Sequence, residues 1–133
     1  MDADSSAMNE TLPAVPESVR ELRVALTRFM QSAGVDGELL EQVRLAVSEA
    51  VTNVVRHAYV GRDEPGPVRL AARVDDDRIE VTVADDGHGM VPRVDSPGLG
   101  LGLPLIAQTT DTFDVHQSKG GGTEMRMSFT RGG

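Results

Sequence analysis

Ile79, Val81 and Val83 alternate with more polar neighbours, and the next residue of the same parity is Asp85. Side chains two apart on a strand share a face. A strand that buries the first three therefore carries a carboxylate inward at its end, and a buried carboxylate needs a partner. Gly87 and Gly89 follow at once and open the chain into a flexible segment reaching Gly98.

The same two-residue period runs upstream through Val68, Leu70, Ala72 and Val74. Asp75-Asp76-Asp77 then marks a turn, so the two runs read as a hairpin. Two further strands are expected over Thr112–Gln117 and Thr123–Thr130. In the last of these Thr123, Met125, Met127 and Phe129 share a face. Thr123 is thereby expected to look into the same interior as Asp85.

Two helices precede the hairpin. Val19, Leu22, Leu26, Phe29 and Met30 recur at a helical period over Glu17–Ala33, and Gly34 stops that helix. Over Gly37–Tyr59, Leu40, Val43, Val47, Val51, Val54 and Ala58 form one apolar stripe. Glu49, Asn53 and His57, spaced four apart, share a second face beside it, at the rim of the core. A short helix is expected from Leu101 to Thr109, with Pro104 tolerated in its first turn.

The order is helix, long helix, hairpin, glycine loop, short helix, hairpin. It predicts an α+β two-layer sandwich whose mixed, mainly antiparallel sheet is covered on one face by helices, and it lacks the βαβ repeats of a doubly wound fold. Residues 12–130 form one domain, with a weak edge strand near Leu12–Val15. Met1–Thr11 is read as a flexible tail.

A chain of 133 residues suits one domain, and the lack of cysteine excludes disulfides, thiolate metal sites and a cysteine nucleophile. It also fits a reducing cytoplasm. No apolar run is long enough to span a bilayer, and the first residues do not form a secretory signal. With 21 acidic against 13 basic residues the net charge is −8, which opposes nucleic-acid binding and favours a protein as any macromolecular partner.

Four stretches carry the chemistry: Glu49-Ala50-Val51-Thr52-Asn53 with His57, Asp85-Asp86-Gly87-His88-Gly89, Gly98-Leu99-Gly100-Leu101-Gly102-Leu103, and Gly120-Gly121-Gly122-Thr123. In this order and spacing they resemble the ATP-binding boxes shared by histidine kinases, DNA gyrase, heat-shock chaperone ATPases and mismatch-repair ATPases. Glu49 with Asn53 matches the N-box. Asp85, Gly87 and Gly89 match the first glycine box, Gly100 and Gly102 the second, and Gly122-Thr123 the closing pair. The run Val47–Asn53 and the compact length most resemble the anti-sigma-factor serine kinases, over about Glu17–Phe129.

The resemblance implies a histidine-kinase-like ATPase fold that binds ATP and Mg²⁺. The nucleotide site would comprise Asn53, His57, Asp85, Gly87, Gly89, Met90, Gly98, Leu99, Gly100, Leu101, Gly102, Leu103 and Thr123. Physical roles follow: Asp85 can accept from the amino group of adenine, directly or with an ordered water, and Thr123 can hold either. Gly87 and Gly89 would let the backbone approach base and ribose. Free amides over Gly98–Gly102 would cradle phosphates at a helix start, and Asn53 offers an oxygen to the hard ion Mg²⁺.

The resemblance further assigns Glu49 as the base that takes the substrate hydroxyl proton. It implies serine kinase activity toward a small anti-sigma-factor antagonist, sequestration of a sigma factor, and homodimerisation through the first helix and N-terminal region. Arg20, Arg23 and Arg28 are candidate contacts to an acidic partner. The segment Met90–Pro97 is a short lid in which Arg93 is the nearest basic residue to the second glycine box. A second reading stays open at this point: an ATP-dependent protein-binding module without phosphoryl transfer.

Overall fold

The expected hairpin is the centre of the sheet. In a computed structural model that describes residues 6–87, 103–117 and 121–131, β2 (Pro67–Val74) pairs antiparallel with β3 (Arg78–Asp85). Its turn is closed by Asp75, whose Oδ1 accepts from the amides of Asp77 and Arg78 at 2.9 Å each. Outside the hairpin lie β1 (Ser6–Pro13) on one edge and β5 (Thr123–Thr130) then β4 (Thr112–Gln117) on the other, giving the order β1-β2-β3-β5-β4.

Every pairing among the described residues is antiparallel. The parallel component of the expected mixed sheet survives as direction only. β3 and β4 run the same way, joined through α3 (Leu103–Thr109), with β5 between them.

One face of the sheet is the core. Val68, Leu70, Ala72 and Val74, then Ile79, Val81 and Val83, then Met125, Met127 and Phe129 are all buried. Against them pack α1 (Pro16–Ser32) through Leu22, Leu26 and Met30, and α2 (Gly37–Asn53) through Leu40, Val43, Val47 and Val51. Helices on one face and polar strand neighbours on the other give the two layers read from the sequence.

Two elements differ from expectation. Residues 6–11, read as part of a flexible tail, belong to β1, which pairs with β2 from Ser6↔Val74 to Pro13↔Pro67. Met8 and Leu12 pack on the core from this strand, but Glu10, which shares their face, is exposed and breaks the alternation. β1 therefore exists because β2 offers an edge to pair with, which a local pattern does not reveal. The long second helix also changes pitch: α2 ends at Asn53 and continues as a π-helical turn over Val54–Ala58.

Candidate functional site at the end of the sheet

Asp85 and Thr123 stand opposite each other in the β3–β5 register. Both are buried, at 7% and 4% exposure, on the helix-covered side. The sequence placed these two side chains in one interior, and the structure does the same. Asp85 Oδ1 accepts from the amide of Gly87 at 2.8 Å. Burial pushes the Asp85 carboxyl above its ordinary value, the Gly87 and Thr123 amides pull it back, and the charge of Asp86 adds to the rise.

Glycines pack this corner. A Cβ on Gly87 would overlap the carbonyl oxygen of Ala58, at the end of the π turn. One on Gly122 would overlap the carbonyl oxygen of Asp85, at a residue whose φ is already 92°. The amide of Gly122 donates to the Gly87 carbonyl at 3.0 Å. The close approach that Gly87 permits is thus, first, to the protein's own helix, where sequence reasoning had put a base and ribose. Its consequence is that the turn after Asp85 touches the helix end carrying Asn53 and His57.

On that helix Glu49 is half-buried and Asn53 is 5% exposed. Asn53 Nδ2 and His57 Nε2 are both buried without a hydrogen-bond partner among the described residues. Native buried polar atoms are overwhelmingly paired; Arg44 Nε is likewise unpaired among the described residues, but Asn53 and His57 lie on successive turns at the helix end that meets the Asp85 corner. An amide with an idle donor fits a phosphate oxygen, and its oxygen suits a hard cation. The π turn makes His57 lag the face it would share with Asn53 in an α-helix. Burial lowers the pKa of His57, and Arg56 beside it adds to the fall.

Glu49 also borders a groove of about 400 Å³ between α1 and α2, lined further by Arg23, Arg44 and Thr52. It stands where that surface groove meets the face of Asn53.

One set of residues was not singled out from the sequence. Tyr59, the only tyrosine, donates its hydroxyl to the Pro67 carbonyl at 2.5 Å and accepts from the Asp86 amide at 2.7 Å. Arg69 grips the Asp86 carboxylate with two bonds of 3.0 and 2.8 Å. Arg62 lies over the Tyr59 ring, 5.1 Å from its centre, and donates to the Asp86 carbonyl at 3.3 Å. The available signals were a lone tyrosine just past the helix and Gly66, where a Cβ would overlap its ring.

His88, Gly89, Met90, Arg93, Gly98, Leu99, Gly100, Leu101 and Gly102 lie outside the described residues. Leu103 opens α3, which packs on α2 and buries Ile106. The helix following the glycine-rich segment therefore lies beside the helix that carries Glu49 and Asn53.

An antiparallel sheet covered on one face by helices, with a buried carboxylate at the sheet end, is the arrangement of the histidine-kinase-like fold. The chain belongs to the histidine kinase-like ATPase domain family, whose model matches residues 12–129. It is 32% identical over 135 residues to the serine-protein kinase RsbW of Staphylococcus epidermidis, covering 90% of this chain and 85% of that protein. To RsbW of Bacillus pumilus it is 43% identical over 136 residues, covering 85% and 84%. Among solved structures, the RsbU and RsbW domains of a Mycobacterium tuberculosis protein superpose with a TM-score of 0.74 at 22% identity, over 96% of this chain and 33% of that one. The histidine kinase domain of a blue-light-activated kinase from Erythrobacter litoralis gives 0.61 at 26% identity, over 89% and 61%.

Proposed function

We propose that this chain is an ATP-dependent serine kinase of the anti-sigma-factor type, acting on a small antagonist protein and holding a sigma factor when that antagonist is absent. The observation that carries the reading is the corner where the buried Asp85–Thr123 pair meets the helix bearing the idle Asn53 and His57 atoms. Similarity to RsbW proteins over most of both lengths supports the choice of reaction.

In this reading Asp85 accepts from the adenine amino group, and Thr123 steadies the carboxylate. Asn53 and His57 turn their idle atoms to the phosphates, with Gly98–Gly102 supplying backbone amides. Mg²⁺, held by Asn53 and the nucleotide, would neutralise phosphate charge. Glu49 takes the proton of the acceptor serine as its oxygen bonds to the γ-phosphorus and ADP leaves. The groove beside Glu49 gives the acceptor a way in, and a second groove along α1, lined by Arg20 and Arg28 together with Glu17 and Glu21, offers a mixed-charge surface to a protein partner. The chain would work in the cytoplasm as a homodimer.

The test is transfer of labelled γ-phosphate from ATP-Mg to the cognate antagonist, with ATP affinity measured alongside. Glu49→Ala is expected to slow transfer at least about a hundredfold while ATP binds as before. No transfer by the wild-type chain, or full transfer by E49A, would overturn the assignment.

A further inference from the structure

The adenine carboxylate is followed by a residue held on every polar group it has. The amide of Asp86 donates to the Tyr59 hydroxyl at 2.7 Å, its carbonyl accepts from Arg62 at 3.3 Å, and its carboxylate takes both prongs of Arg69. Asp86 lies just past the end of β3, beyond the ladder that fixes the strand. These contacts do for it what the ladder does for its predecessors. The Tyr59 hydroxyl is anchored in turn on the Pro67 carbonyl, at the first residue of β2. Arg62 lies over its ring, and a Cβ on Gly66 would overlap the ring.

We propose that Tyr59, Arg69 and Asp86 act together as a positioning clamp that aims the Asp85 carboxylate, and so sets how strongly the site prefers a purine bearing the adenine amino group. The inference rests on the ATP-site reading above and deepens it. Fixing Asp86 at its amide, carbonyl and side chain fixes the peptide plane that leaves Asp85. The Gly87 amide, one residue on, then closes back onto Asp85 Oδ1. One carboxylate oxygen is thereby committed to the backbone, and the clamp decides where the other points. A hydrogen bond to a small amino group tolerates little misalignment, so slack at the adjoining residue is felt at the base.

A purely structural role makes a different forecast. The side chains of Arg69 and Asp86 are 41% and 56% exposed, and ion pairs this wet add little to stability. A two-pronged arginine–carboxylate contact contributes geometry above all. Loss of the clamp should therefore disturb base recognition out of proportion to its effect on folding.

The experiment titrates the full chain by calorimetry with ATP and with purine riboside triphosphate, which lacks only the amino group, and records thermal unfolding of each variant. The wild-type chain should prefer ATP; the absence of any preference would overturn the adenine reading itself and the clamp with it. Given that preference, Tyr59→Phe and Arg69→Gln should each cut it about three- to tenfold, mainly by weakening ATP. Arg69→Lys, which keeps the charge but not the fork, should fall between R69Q and wild type. Variants that keep the wild-type preference, or that lose affinity for both nucleotides equally, would overturn the clamp and leave the ATP site standing. Should Y59F fail to fold, R69Q decides, because its side chain is exposed.

Discussion

Burial lifts the Asp85 carboxyl and two backbone amides only partly offset it, so folding disfavours its ionised form. A folded-state pKa above the unfolded one contributes stability that is full below the ordinary carboxylate range and is lost as pH rises through the raised value. Asp85→Asn should therefore leave the unliganded Tm at pH 7 unchanged or higher, and the margin should shrink on acidification; a clear fall in Tm at neutral pH would contradict this. His57 works the other way. Its folded pKa lies below 6.5, so its contribution is present above that value and is lost as pH falls. Unfolding free energy should drop through the acid side of neutrality, and His57→Gln should flatten that drop in a denaturant series.

At the scale of elements, the site depends on contacts that admit no side chain. Gly87→Ala forces a methyl into the Ala58 carbonyl, and Gly122→Ala does the same at the Asp85 carbonyl with an unfavourable backbone angle besides. Overpacking of this kind costs about 1–3 kcal/mol, and strain at positive φ about 1 kcal/mol more. Urea unfolding should rank wild type above G87A and G87A above G122A, and equal midpoints would show that the corner is slack.

These contacts also mark where the sequence could be read. β2, β3, β4 and β5 follow from it closely because a one-sided antiparallel strand writes its burial directly as alternation, and Asp85 and Thr123 inherit their placement from that parity. β1 does not, since Glu10 interrupts its pattern and its pairing depends on β2, some sixty positions away. The π turn has no residue signature. The clamp on Asp86 was invisible because Tyr59, Arg62 and Arg69 converge only once the hairpin has folded against the helix end.

For the whole molecule, β1 closes the β2 edge and places Met8 and Leu12 against the core. Removing residues 1–13 should cost about 2–3 kcal/mol, from two half-buried large apolar side chains and a newly open strand edge, read as an earlier denaturation midpoint. The described helices include none long and apolar enough to cross a membrane. In the proposed reading, phosphate recognition would fall to backbone amides and to Asn53 and His57. Nucleotide binding should accordingly stabilise the entire domain: ATP at a hundred times its Kd adds about 2.7 kcal/mol, visible as a shift in Tm.

The central claim is that Asp85 at the end of the sheet holds the base of ATP. Calorimetric titration of ATP-Mg into the wild-type chain and into Asp85→Asn at pH 7, both checked for intact fold by circular dichroism, tests it most directly. Saturable binding by the wild type and a Kd raised about ten- to a hundredfold in D85N are predicted. Equal affinities in the two proteins would contradict it.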